Sequence, residues 1–290
     1  SAGAAPWCLS GPHARSPMAH RMRLRPSVPV TPVVGPPWRW AAFGATLGLL
    51  VALVAYAPAS WLARALAQAS HGKVLLREAQ GSVWQGRAQL VLTGGHGSTD
   101  AVRLPGSVQW TLGLGAGGLH LSLQAPCCTA QPVGVQIQWL RWNGLVVTVS
   151  DHQSRWPAEL LTGLGTPWNT VQVRGQMTAA SHGLQWRWLA GQLAMQGALQ
   201  LDALNLTSRL STLAPMGSYR LTVRGGDSPR MQLETLSGSL HLEGQGQWVG
   251  QRLRFSGVAS AEPDRVEALS NLLNIVGRRD GARSLITLGS

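Results

Sequence analysis

The sequence predicts a mainly β protein. A single N-terminal transmembrane helix leads into an antiparallel β domain, curved or sandwich-like, with a few short helices. Three observations carry that reading. Apolar and polar residues alternate with period two in one stretch after another. Glycine-rich breaks such as "TGGHGS" and "GLGAGG" punctuate the alternation. No charged residue occurs between Arg39 and Arg64, so one uncharged run can cross a ~30 Å hydrocarbon core at ~1.5 Å per residue. The expected division is a cytoplasmic Arg- and Pro-rich tail over residues 1–37, a span over 38–61 and a periplasmic β domain over 62–290.

The tail comes first. It starts with Ser1, while Met18 and Met22 are more natural starts, so residues 1–17 are left out of the fold reasoning. "PSVPVTPVVGPP" (residues 26–37) reads as an extended, proline-rich spacer. In the span, Trp38 and Trp40 stand at one end and Tyr56 and Trp61 at the other, where amphipathic rings meet membrane interfaces. Arg15, Arg21, Arg23, Arg25 and Arg39 precede it without an acidic residue. By the positive-inside rule the N-terminus stays in the cytoplasm and everything after Trp61 is translocated. A cleaved signal peptide is the competing reading, because "APAS" (residues 57–60) resembles a cleavage site. Against it, the apolar run 41–57 is longer than a ~7–15-residue signal core.

Beyond the span, "LHLSLQA" puts Leu119, Leu121, Leu123 and Ala125 on one face and His120, Ser122 and Gln124 on the other. "VGVQIQW" does the same with Val133, Val135, Ile137 and Trp139. The alternation returns in "VQW", "YRLTVR", "MQLE", "LHLE" and "LRFSG", which makes roughly a dozen short strands with one buried and one wetted face. Three helices interrupt them. "PASWLARALAQAS" either continues the anchor or bends at Pro58. "WPAELLTG" has Pro157 in a first-turn position and Gly163 or Gly165 to close it. "EPDRVEALSNLLNIVG" starts at Pro263, carries Asp264 and Glu267 at its positive end, and has Gly277 for a left-handed stop. Its apolar stripe is Val266, Leu269, Leu272 or Leu273, and Val276. A weak internal repeat links "GSVWQG", "GQLAMQG" and "GSLHLEG", and also "PWNTVQVRG" with "PMGSYRLTVRG". Duplicated β units and chance in a Gly- and Leu-rich chain both account for it.

Composition and motifs narrow the function. Net charge is +12, yet of the 24 basic residues only Lys73 is a lysine and the arginines are scattered. That pattern argues against a nucleic-acid face, and no nucleic-acid partner is expected. Cys127 and Cys128 are adjacent. Such a pair, ~3.8 Å apart at Cα, is too close for an unstrained bridge, so two small residues in a turn are expected, with a strained, reducible bridge as the alternative. No G-x-S-x-G or H-E-x-x-H motif occurs and no histidines or cysteines stand at metal-ligand spacing. Asp151 and His152 are neighbours, which point apart on a strand or turn, so a surface loop is expected rather than a dyad. "GLGAGGLHL" lacks the strand-then-helix setting of a dinucleotide fingerprint. No catalytic, metal-binding or cofactor-binding residue is assigned, and no cofactor is expected. The tryptophans are the better lead: "LQWRWLA" sets Trp186 and Trp188 on one face with Leu184, mostly a packing stripe, with room for an exposed ring at a binding edge.

Several blocks occur in a telling order: "AYAPASWLARAL", "GSVWQGRAQL", "LPGSVQW", "WPAELLTGLGTPWNT", "SRLSTLAPMGSYRL" and "LSNLLNIVGRRDGARSLITLG". In these the chain resembles type II secretion system protein N over about residues 38–290. The resemblance implies a bitopic bacterial inner-membrane protein with a periplasmic domain, supporting export of folded proteins across the outer membrane. It implies partners in the inner-membrane platform and secretin-linked subunits, and no catalytic residues. A second hypothesis is an envelope lipid-handling β-groove protein, with lipid as its ligand. The two part at the apolar face of Leu119, Leu121, Val135 and Ile137. A second layer over it excludes the groove, and an open trough adds a lipid role. Near the C-terminus, Arg278 and Arg279 follow the last helix, where cations are favoured, and are expected as partner contacts before "RSLITL" returns as a final strand.

Overall fold

The computed structural model describes residues 38–115, 117–140, 144–250 and 252–289. The expectations for the tail, its arginines up to Arg25, its proline tract and Cys8 lie outside the described residues. The chain divides into two units, Ser1–Gly48 and Leu49–Ser290. Helix α1 (Trp38–Ala55) is apolar, long enough to cross a membrane, and exposed at every residue. It does not run on into the next helix. Pro58 lacks an N–H and sits in extended backbone as the cap of α2 (Ala59–Ala69), so the helices are separate, as the bend expectation required. Trp61 therefore belongs to α2, while Tyr56 directly follows α1.

The second unit is dominated by one continuous antiparallel sheet of sixteen strands. In chain order these are β1 (Val74–Gly81), β2 (Gln85–Thr93), β3 (Ala101–Arg103), β4 (Val108–Gly115), β5 (Gly118–Gln124), β6 (Val133–Leu140), β7 (Gly144–Val149) and β8 (His152–Pro157). After these come the long pair β9 (Arg174–Leu189) and β10 (Gln192–Thr207), then β11 (Gly217–Gly226), β12 (Arg230–Ser237), β13 (Leu240–Val249), β14 (Arg252–Ala261), β15 (Arg278–Asp280) and β16 (Arg283–Leu288). Nearly every strand pairs with its predecessor in the chain. β3 hangs on β2, β8 on β9, and β15 closes the far end behind β16. The two ends do not meet, so of the forms left open by the sequence this is a single open sheet rather than a sandwich. The repeated words fall at unlike places: "GSVWQG" makes the β1–β2 turn, whereas "GSLHLEG" lies at the start of β13.

Directly paired residues share a face. Leu112, Leu121, Val135 and Val149 pair in succession across β4 to β7, and Leu201, Leu221 and Leu233 across β10 to β12. One face is thus apolar along the whole sheet. The pairing of β10 with β11 shifts register between Met195 and Ala198, where Gly197 has φ +82°, a conformation that L side chains rarely adopt. On the opposite face Asp202 and Arg220 are cross-strand partners joined by two hydrogen bonds of 2.8 and 2.9 Å. Arg220 holds the Asp202 carboxyl below the usual carboxylate range. Partial burial opposes that shift, and Gln200 adds to it.

The apolar face is covered only in part. α2 lies over the first strands, with Ala59 packed on Ala88 and Trp110. A short 3-10 helix, Ala158–Leu164, packs Leu160 against Leu104, Ala125 and Cys128. The sequence suggested a helix here, and it is the tighter form: Pro157 is its cap, Gly165 at φ +80° ends it, and Gly163 sits inside. A one-turn helix, α3 (Trp168–Val171), follows. At the far end α4 (Val266–Val276), after a 3-10 turn at Pro263–Arg265, drives Leu269, Leu272 and Leu273 into the largest core cluster with Tyr219, Leu240 and Ala259. Tyr219 donates to the Leu240 carbonyl at 3.0 Å, and burial pushes its phenol far above the usual range. Gly277 ends α4 in extended backbone, not in the left-handed form. Glycine fits there because a Cβ would run into the Leu285 carbonyl.

Leu272→Asp is expected to lose cooperative thermal unfolding, and Leu273→Ala to lower stability by about 2–5 kcal/mol. Protease resistance equal to wild type for both would contradict the packing of α4. The Asp202–Arg220 pair gives a pH signature. Because the folded pKa is depressed, its stabilisation is full above the unfolded value of ~3.9 and is lost as pH falls through the folded value. Asp202→Asn is therefore expected to cost about 1 kcal/mol near pH 7, and the difference to shrink as pH falls through the lowered folded value, read from unfolding midpoints of the full chain.

Candidate functional site

The feature with functional potential is the uncovered apolar face. Between α2 and strands β1 to β9 it curls around a cavity of about 660 Å³. Leu62 and Leu66 from α2 form one wall, and Leu76, Trp110, Leu119 and Leu121 from the sheet form the other. Residues of β1 and β9 line the same space, which a flat sheet does not allow. Leu119, Leu121, Val135 and Ile137 are all half-buried, so no second layer seals them. Beyond the cavity the same face carries a buried cluster of Leu184, Met195 and Val223, with half-buried Trp186, Leu199, Met231 and Trp248 packed against it. The result is a trough, plugged along one rim by the 3-10 helix and α4. The sequence marked the sheet side of this trough by its alternation. It did not mark Leu62 and Leu66, although their four-residue spacing on a helix was the available signal.

Polar groups near the trough are satisfied internally. Ser181 is fully buried and donates to the Ser150 carbonyl at 3.0 Å, and its Oγ lies 2.8 Å from Nδ1 of His152. This Ser–His contact was not visible in sequence, because the residues meet only through the pairing of β8 with β9. Asp151 does not complete a triad; it accepts from the Gly183 N–H at 2.7 Å, as expected for a loop residue. Ser181, shut away from solvent, is a structural hydroxyl. Among the described residues no cluster of three His, Cys, Asp or Glu side chains could hold a metal. Cys127 and Cys128 do sit in a turn, but they are bonded to each other, with Cys127 exposed and Cys128 in a core cluster. That corrects the expectation of two unlinked residues.

The residues singled out in sequence fall in three places. Trp38 and Trp40 open α1, and both are exposed, as are Tyr56 after α1 and Trp61 on α2. Trp186 is half-buried in the trough, and Trp188, on the same face, is exposed. Arg278 and Arg279 lie in β15 rather than in a loop. Arg279 turns back on its own chain: Nε donates to the Gly281 carbonyl at 2.6 Å and Nη1 to the Ser270 carbonyl of α4 at 3.3 Å. Buried Ser284 donates to the Leu273 carbonyl at 2.6 Å, so the hairpin β15–β16 satisfies carbonyls of α4. Arg278 is exposed. Arg279→Ala is expected to lower stability by about 1–2 kcal/mol, and Arg278→Ala to stay within about 0.5 kcal/mol of wild type. Indistinguishable melting of the two variants would refute that division of roles.

A family model described as "Type II secretion system (T2SS), protein N" matches residues 72–286, from just before β1 into β16. No curated protein and no solved structure matches the chain.

Proposed function

Since the chain belongs to the type II secretion system protein N family, we propose that it serves as a non-enzymatic, single-pass inner-membrane component of that machine. In this reading α1 crosses the inner membrane with its N-terminus in the cytoplasm, and the sheet stands in the periplasm. There it supports export of folded proteins across the outer membrane through contacts with the inner-membrane platform and secretin-linked subunits. The family match over almost the entire sheet is the observation that carries this reading. An exposed apolar helix bounded by Trp38, Trp40 and Tyr56 supports the anchor. The exposed Arg278 is the better candidate of the two arginines for a partner contact.

The uncovered apolar face favours a second reading: the trough also takes lipid acyl chains. Half-buried leucines and valines around a cavity of about 660 Å³ suit a hydrocarbon chain and offer little to a polar peptide. The two roles are compatible in one protein. Deletion of the gene is expected to leave exoproteins in the periplasm, measured by fractionation and restored by the wild-type chain. Normal secretion with altered envelope permeability would displace the secretion role in favour of the lipid one.

A further inference from the structure

Six hairpin turns, those joining β1–β2, β4–β5, β6–β7, β9–β10, β11–β12 and β13–β14, lie along one rim of the sheet. The registers require it, since each strand of this antiparallel path returns to the same side. The end of α1 is fastened to that rim. Val83 donates to the Ala57 carbonyl and Trp84 Nε1 to the Val54 carbonyl, each at 2.8 Å. Leu112 and Leu114 share an apolar pocket with Leu50, Val51 and Val54 of the helix. Leu114, at the β4 tip, thus stands level with helix residues up to about 7 Å short of the end of α1.

Among the described residues, those flanking the β6–β7 and β9–β10 turns are apolar on both faces, and Val249 beside the β13–β14 turn is apolar too. On the trough side Trp139, Trp188 and Leu193 form one cross-strand row with Leu145, and Trp139 is 65% exposed. On the opposite side Leu140, Leu189 and Val249 are exposed, Leu189 at 53%. A trough for acyl chains accounts for the first set and not for the second. One step back along the strands the outer face turns cationic. Arg187 lies behind Leu189, and Arg224, Arg230, Gln247 and Arg254 form a cross-strand row behind the β11–β12 and β13–β14 turns. Arg224, Arg230 and Arg254 line a polar hollow whose only acid among the described residues is Asp227.

We propose that this rim rests on the bilayer that α1 crosses, its tips in the interfacial zone and its arginines on anionic lipid headgroups. The inference builds on the reading of α1 as a membrane span. The occupant follows from the geometry: an edge held against the span by Trp84 and Leu114 faces the same membrane. Tryptophan and leucine at the tips with arginine behind them repeat the order of a membrane interface, hydrocarbon first and headgroup next. In this position the trough opens at its unplugged rim directly onto the lipid, and the plugged rim points away from it.

The test uses the full chain reconstituted in vesicles of phosphatidylethanolamine and phosphatidylglycerol, with a photoreactive phenylalanine replacing one residue at a time. Leu47 in α1 reports the span, Leu140 and Leu189 report the outer side of the rim, and Asn274 on α4 is the control. Lipid adducts are expected at Leu47, Leu140 and Leu189 and not at Asn274. Capture at Leu47 with none at Leu140 and Leu189, or protein adducts there in place of lipid, overturns the proposal and leaves the span intact. No capture at any of the three overturns both. Arg224→Gln, Arg230→Gln and Arg254→Gln are each expected to reduce capture at Leu189 up to about fivefold. That loss is expected with phosphatidylglycerol present and absent with phosphatidylcholine alone. Unchanged capture in both lipids removes the arginines from the contact.

Discussion

The structure depends on a single constraint of register: residues opposite one another in an antiparallel pair share a face, so sixteen strands in sequence keep their apolar residues together only if no pairing slips. A slip of one residue would move every leucine of a strand to the solvent side. Leu112, Leu121, Val135 and Val149 show the rule across four strands, and Leu201, Leu221 and Leu233 show it across three more. The pairing of β10 with β11 shifts register at Gly197, and Leu201 pairs with Leu221 beyond that shift. A twisted sheet of this width cannot remain flat, and its curl turns a shared face into an enclosed one.

Covering that face is a separate matter, and the chain does it unevenly. α2, the 3-10 helix and α4 each bury one patch, and α4 does so most completely through Leu269, Leu272 and Leu273. Elsewhere the apolar surface stays half-exposed, at a cost of roughly 25 cal/mol per Å² left in water. A surface of that kind is stable in the presence of something that covers it. The acyl-chain reading and the bilayer-docked rim both meet that need, without asking the polar groups of the sheet to do any chemistry. Those polar groups are occupied in structural roles: Ser181 with Ser150 and His152, Asp202 with Arg220, and Arg279 with α4.

Much of the architecture was legible in the residues. Period-two alternation located β4, β5, β6, β11, β12, β13 and β14, and helical spacing located α4 with the leucines it buries. The strands that escaped were of another kind. β1, "VLLREAQG", alternates poorly because its register shifts between Arg77 and Gln80, and of the sixteen-residue β9 and β10 only pieces such as "LQWRWLA" and "GQLAMQG" were legible, since their glycines read as breaks. Gly183 and Gly197 are left-handed inside paired strands, which local pattern alone treats as turns. The site was legible by half: its leucines were visible, while the openness of the trough was not.

By itself the sequence determined which residues are apolar on one face and where an uncharged helix lies, and it marked Pro58 as the one place where that helix could bend. These follow from local chemistry, from side-chain period and from a missing N–H. Only the tertiary structure decided that the sheet stays open, that Arg279 serves its own helix, and that Cys127 and Cys128 are joined. It also decided that six turns gather along the rim where α1 ends. The open sheet and the gathered turns depend on contacts between segments far apart in the chain, whereas Arg279 reaches back only to Ser270 and Cys127 and Cys128 are neighbours joined within one turn. Local sequence carries no record of which strand will lie beside which, and that pairing decides what each face meets.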